Sequence, residues 1–397
     1  RSRSDFRDRV SKQELTARLY GPASTIGAEA WNACANPERS NDPHPFTRYE
    51  FFAACEESGS ATARNGWRPC HLAIERGWRI VGLLPLYLKN HSQGEYVFDH
   101  GWADAFARAG GSYYPKLQAS VPFTPVTGKR FLVAEGGDET VIRKALMGAA
   151  AKAAEEMEAS SVHITFLTED EWKDAGAFGY LQRTDQQFHW ENRGYENFDQ
   201  FLGELSSSKR KNLRKERASV REAGIEFDWL TGTDITEAHW DRFFAFYMDT
   251  GGRKWGRPYL TRKFFSLLGQ SMGEQVLLIL ARRDGRYIAG ALNLFGGEVI
   301  FGRNWGSLEY VPFLHFETCY YQAIDFAIAR GLKRVEAGAQ GEHKLLRGYM
   351  PVPTYSAHHI VHPGLRRAVS EYLVREREAV AEQIESLAEY GPFRKSS

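Results

Sequence analysis

The sequence predicts an α/β protein made of two tandem copies of one mixed-sheet domain, followed by a C-terminal helix. Three observations lead there. At 397 residues the chain exceeds one ordinary domain. Strand-like stretches of its first half recur, in the same order, in its second half. In each half a helical stretch separates the last two strands, which is the connection a parallel strand pair requires.

The elements follow in order. Residues 1–30 show little periodicity, and the Arg/Ser-rich opening 1–9 has the composition of a targeting remnant, with Asp5 and Asp8 counting against it. The chain begins at Arg1 without methionine, so an upstream piece is expected. A proline-rich turn then precedes a helix over 47–57, with Thr47 as N-cap and Glu50 completing a capping box. A hairpin spans 71–75 and 80–88 about Gly77, and 95–102 reads as a third strand. The segment 104–130 is long, irregular and aromatic, as a loop packed over a cleft would be. An alanine-rich helix over 138–158 and a buried strand over 162–167 complete the first half.

In the second half, 277–283 and 287–295 form a hairpin about Asp284-Gly285. I-V-G-L-L-P-L-Y (80–87) parallels I-A-G-A-L-N-L-F (288–295), and E-Y-V-F-D-H-G-W (95–102) parallels E-V-I-F-G-R-N-W (298–305). S-V-H-I-T-F-L-T-E (161–169) parallels R-V-E-A-G-A-Q-G-E (334–342). Helices are expected over 198–223 and 237–251. The last helix carries Leu365, Val369, Leu373, Val380, Ile384 and Leu387 on one face. The boundary falls near Thr184, before a strand at 187–190. That makes 1–185 a degenerate, acceptor-side domain and 186–397 the domain with the chemistry.

Composition narrows the class. Hydrophobic content of 43% and charged content of 25% describe a globular protein with a full core. A net charge of +1 argues against a dedicated nucleic-acid binder. Cys34, Cys55, Cys70 and Cys319 form neither a metal-ligand nor a disulfide pattern, which points to a reducing compartment, the cytoplasm or an organellar stroma. No apolar run reaches the length of a membrane span. Serine-hydrolase, P-loop and dinucleotide motifs are absent.

The chemistry gathers in 330–353. Glu336, Glu342, His343, Lys344 and Arg347 stand among glycines just past a buried strand, and Tyr349 follows. Glu336 or His343 suits a general base. Lys344 and Arg347 suit a phosphate or a developing oxyanion. In the first half Glu342 is matched by Glu169, but Lys344 by Glu171, so the cationic site belongs to the second half. The basic run 206–221, with Arg210, Asn212 and Arg214, reads either as a solvated helical face or as a phosphate site. In R-K-W-G-R-P-Y (253–259), Arg253 adds charge, while Trp255 and Tyr259 either stack on a ring or pack at a helix end. His100 and Trp102 face the long first-domain loop and line the acceptor side.

Hairpin, third strand, substrate loop, helix and final strand is the order of the GNAT acyltransferase fold. Two such domains resemble the Fem ligases, which transfer amino acids from aminoacyl-tRNA to peptidoglycan precursors. P-F-T-P-V-T-G-K-R, R-K-W-G-R-P-Y-L and E-x-G-A-Q-G-E-H-K-x-x-R-G-Y look like the Fem-like peptidoglycan biosynthesis/recognition group, over about 45–363. The run 208–215 is similar to a Fem helical segment at Arg210, Asn212, Arg214 and Lys215. Glu336, Gly338 and Lys344 are similar to the residues after the last Fem strand, with His343 where phenylalanine is usual. The resemblance implies an N-acyltransferase that joins an aminoacyl or acyl group to an amine. The co-substrate would be an aminoacyl-tRNA or acyl-CoA, and the acceptor a small molecule or cell-wall precursor. GNAT enzymes that use CoA hold its pyrophosphate on a glycine-rich loop, Q/R-x-x-G-x-G/A. Arg303-Asn304-Trp305-Gly306-Ser307-Leu308 departs from it at Leu308, and Pro312 follows with no N–H to offer, which weighs against CoA. The rivals are a CoA-dependent acetyltransferase with a remodelled loop and a precursor-recognition protein without turnover. The site is expected in the second domain and the cleft between domains.

Overall fold

A computed structural model describes residues 14–255, 258–338 and 341–394, so the opening 1–9 lies outside the described residues. The fold is α/β, with mixed sheets and a C-terminal helix. Among the described residues the chain divides into two compact units, 14–56, 61–183 and 355–375, and 57–60, 184–354 and 376–394.

The first unit contains strands β1 (Leu15–Leu19), β2 (Trp67–Pro69), β3 (Leu72–Arg76), β4 (Arg79–Leu84), β5 (Tyr87–Lys89), β6 (Lys116–Ala119), β7 (Leu132–Val133) and β8 (Ser161–Leu167). Its helices are α1 (Ala28–Ala35), α2 (Tyr49–Glu57), α3 (His100–Arg108), α4 (Glu139–Glu156) and α5 (Glu169–Phe178). One sheet runs β1-β3-β4-β7. The other runs β2-β5-β6-β8, with residues 355–360 antiparallel on β8. Asp138 caps α4 by accepting from Val141 N at 3.1 Å. Ile142, Leu146 and Ala150 recur every four residues and are wholly buried against the core.

Residues 95–102, expected as a strand, are a loop that runs into α3. The cause is Lys116. Its buried ammonium donates to Glu95 Oε2 at 2.7 Å and to Asp99 Oδ2 at 2.5 Å. Two carboxylates four residues apart converge on one cation only if the backbone curls, and Tyr96 takes a left-handed φ of 63°. The match of 95–102 to 298–305 as equivalent strands therefore fails. The segment 104–130 holds part of α3 and all of β6, so it is not irregular throughout. The capping box at Thr47 does not form, because its hydroxyl donates to His44 O at 3.1 Å and α2 begins at Tyr49.

The second unit is built on β9 (Leu181–Glu191), β10 (Glu226–Leu230), β11 (Val276–Arg283), β12 (Arg286–Gly296), β13 (Val299–Ser307) and β14 (Arg334–Glu336). Their order is β10-β11-β12-β13-β14-β9, with only β13 and β14 parallel. Helices α6 (Phe198–Glu204), α7 (Ser207–Glu222), α8 (Glu237–Trp255) and α9 (Arg262–Met272) come before the meander or lead into it. The helix expected over 198–223 is thus two helices. Between β13 and β14 the chain forms α10 (Leu314–Phe316), a π-helical stretch Glu317–Tyr321, and α11 (Gln322–Arg330). Strand β15 (Met350–Ile360) and helix α12 (Pro363–Glu389) follow. On α12, Leu365, Val369 and Leu373 are buried, and Leu387 packs on the core of the second unit.

Candidate active site

Strand β14 is only three residues long, and it decides where the candidate site lies. Val335 is wholly buried against α11. Period-two alternation turns Glu336 to the opposite face, in register with His189 of β9. Parallel pairing between β13 and β14 stops at Phe301–Glu336. Beyond that pair the strands part, and Gly302 to Trp305 face Ala337 and Gly338 across a slot of about 120 Å³. His315, Cys319 and Tyr320 form its helical wall, and Asn293 its floor. A bulge in the β12–β13 ladder sets Gly302 against Asn293 and Asn304 against Leu292, with Arg303 as the extra residue between them. Bulges of this kind re-aim side chains.

Glu336 is 5% exposed. Its Oε1 lies 3.4 Å from Arg334 Nη1, while Oε2 accepts no hydrogen bond among the described residues. Burial pushes its carboxyl up to about 7, against the pull of Arg334. Lys344 sits in a 3₁₀ turn, Glu342–Arg347, and donates from Nζ to Gly338 O at 3.0 Å. Burial brings its ammonium down to about 8, and Arg303 adds to that. One acid and one base that both exchange protons near neutrality, at a strand end, can serve proton transfer. Burial holds His189 neutral, at about 3.

The other sequence candidates fall into place as follows. His343 has an exposed ring whose Nε2 meets Tyr320 Oη at 2.9 Å. Arg347 is buried: Nη2 donates to Glu216 Oε1 at 2.8 Å, Nη1 donates to His343 O at 2.7 Å, and its guanidinium lies 3.4 Å from the Phe316 ring centre, while Nε meets no partner among the described residues. Tyr349 is wholly buried and donates to Tyr320 O at 3.1 Å. Tyr349 is therefore corrected to a structural residue, whereas Arg347 is anchored by its terminal nitrogens. Arg303, Asn304 and Trp305 line the slot, but as strand residues rather than as a phosphate loop. Gly306 is glycine for packing, because a Cβ there would stand 2.1 Å from Phe246 O of α8. On α7, Asn212 and Arg214 are exposed and Arg210 is half-buried, with Arg214 paired to Asp199 at 3.1 Å. Tyr259 is half-buried. The side chains of Arg253, Trp255 and Glu342 lie outside the described residues.

In the first unit His100 is exposed, stacked 6.2 Å from Phe98. Trp102 is 7% exposed and packs edge-on against His358 at 5.0 Å, so it is a core residue rather than a pocket wall. Glu171, the counterpart of Lys344, is buried and accepts from Arg130 N and Phe131 N. The sequence reading missed Asn293, Cys319, Tyr320, Glu216 and His189. Asn293 and His189 carry the signal of a polar residue among apolar strand neighbours, whereas Glu216 is one acid within the basic run of α7 and carries none. Among the described residues no group of three or more His, Cys, Asp or Glu could hold a metal, and no helix is long and apolar enough to cross a membrane.

A strand meander that runs through a crossover helix into a splayed parallel pair defines the class, a mixed-sheet α/β fold. The sequence pattern of the FemAB-like family, described as peptidoglycan biosynthesis/recognition, matches residues 22–395. The chain belongs to that family. The crystal structure of FemX superposes with a TM-score of 0.54 at 12% identity, covering 90% of this chain and 100% of that one. The structure of L-PGS from Bacillus licheniformis gives 0.50 at 12% identity, over 84% and 98%. A tandem GNAT protein from the clavulanic acid biosynthesis pathway gives 0.49 at 12%, over 88% and 99%. A search of curated proteins finds no match.

Proposed function

We propose that this protein is an N-acyltransferase of Fem-like type, which joins an aminoacyl or acyl group to an amine. The observation that carries this is Glu336, a buried carboxyl near neutral pKa at the end of the β13–β14 pairing, with one oxygen that accepts no hydrogen bond among the described residues. In this reading the acyl carbonyl lies in the slot and the amine attacks it on the side of Glu336. Glu336 takes the amine proton, and the leaving oxygen departs with a proton. Lys344 supplies positive charge toward the developing oxyanion. An activated ester such as aminoacyl-tRNA fits better than acyl-CoA. The turn after β13 is bulky and holds Pro312, with no N–H to give a pyrophosphate. Exposed cations of α7, Lys211, Arg214 and Lys215, would meet the phosphates of such a donor. A cell-wall precursor as acceptor, and a cytoplasmic setting, accord with the family description.

The test offers labelled aminoacyl-tRNA or acyl-CoA together with amine-bearing precursors and reads the amide product by mass. Glu336→Gln should lower kcat by about a hundredfold or more with precursor binding kept. Precursor binding with no product from any donor would sink the enzyme reading in favour of a recognition protein.

A further inference from the structure

Beside the slot lies a second, apolar cavity of about 520 Å³, within the usual size range of small-molecule sites. Trp305 and His315, with rings 5.1 Å apart, line both cavities, so the two adjoin. The second is walled by the turn that follows β13, chiefly Tyr310, Val311, Pro312, Phe313 and Phe316. This turn exposes apolar surface that folding alone would hide: Leu308 is 44% exposed, Tyr310 92% and Phe313 36%. It is also strained in one place. Phe313 has φ 65°, a left-handed backbone that a bulky side chain rarely adopts. Hydrogen bonds from Leu314 N to Val311 O at 3.2 Å and from Glu317 N to Phe313 O at 3.0 Å brace it there. Arg347 caps the Phe316 ring, fixing that wall.

We propose that this cavity receives the apolar tail of the transferred acyl group, its carbonyl end lying in the polar slot. The group carried is then a medium-length alkyl or aromatic acyl, too large for the slot alone. The inference rests on the acyltransferase reading and names its donor class. The physical reason is adjacency: the slot takes the reacting carbonyl, and the side chains of Trp305 and His315, common to both linings, bring its substituent to the apolar walls of the turn. Phe313 is the specificity residue, a wall of the cavity held in an unfavourable backbone.

The test titrates the full chain with acetate, hexanoate, octanoate and decanoate, and with 3-phenylpropionate, by calorimetry and tryptophan fluorescence. Affinity should rise by up to about fourfold per added methylene until the cavity is filled. Trp305→Phe should remove the fluorescence response. Phe313→Asn should abolish the gain with length while leaving the melting temperature equal or raised, because asparagine tolerates that backbone. Affinity independent of chain length, or length dependence unchanged in Phe313→Asn and Tyr310→Ser, overturns the proposal. So does turnover confined to short acyl donors, which leaves the acyltransferase reading intact. Length-dependent binding lost in Phe313→Asn supports the cavity assignment even if every donor fails to turn over, a result that sinks the acyltransferase reading alone.

Discussion

Glu336 Oε2 and His189 Nε2 face each other across β14 and β9 at 3.8 Å, too far to hydrogen-bond. Burial keeps the imidazole neutral, so it offers the carboxylate no counter-charge. The carboxyl therefore holds its proton to about pH 7, well above its ordinary 4.5.

That shift has a stability consequence. Between about pH 4.5 and 7 the folded chain keeps this proton while the unfolded chain has lost it. Stability should fall as pH rises through that window, by about 3 kcal/mol in all, and stay level above it. Glu336→Gln should remove this slope. Urea midpoints at pH 5 and pH 8, compared between the two proteins, measure it; equal slopes would show Glu336 to be ionised throughout.

Activity should follow the same pair of groups. The rate should rise as Glu336 loses its proton near pH 7 and fall as Lys344 loses its own near 8. Lys344→Met should remove the alkaline limb and lower kcat. A pH–kcat/KM profile of both proteins checks this, and an unaltered alkaline limb in the variant would exclude Lys344.

Arg347 and Glu216 form a buried pair at 2.8 Å. Removing one partner strands the other, so Arg347→Met or Glu216→Gln should each destabilise by about 3 kcal/mol, with the double variant recovering part of the loss. Chemical denaturation of the three variants gives the coupling.

In the first unit Lys116 is the cation that two buried carboxylates share. It holds Asp99 well below the ordinary carboxylate range. Lys116→Met should destabilise by about 3–5 kcal/mol at neutral pH, with partial recovery on acidification as the stranded carboxylates take protons. Thermal melts at pH 4 and 7 test it, and equal losses at both would contradict this account.

The exposed cations of α7 make a separate test of the donor. Lys211→Ala, Arg214→Ala and Lys215→Ala together should weaken tRNA binding and flatten its salt dependence by about 0.7–0.9 log units per lost phosphate contact. The fold should be untouched, because these side chains are exposed. An unchanged salt slope would separate α7 from any RNA.

Local pattern alone determined much of this protein. Alternation and turn residues gave the β3–β4 and β11–β12 hairpins, helical spacing gave α4 and α12, and glycines among charges marked the stretch with Glu336 and Lys344. These depend on neighbours in sequence, which the eye can read. Only the tertiary structure decided the rest. Lys116 curls 95–99 out of the strand that its alternation suggests, because a buried ammonium must be met by acids wherever the chain carries them. Gly306 proved to serve the passage of α8. Arg347 and Tyr349 turned inward to hold Glu216 and Tyr320. The slot exists because β14 ends three residues after it begins, and the near-neutral carboxyl of Glu336 comes from burial. Neither the parting of two strands nor the loss of water around one side chain is written in local sequence, because both are made by segments far apart along the chain.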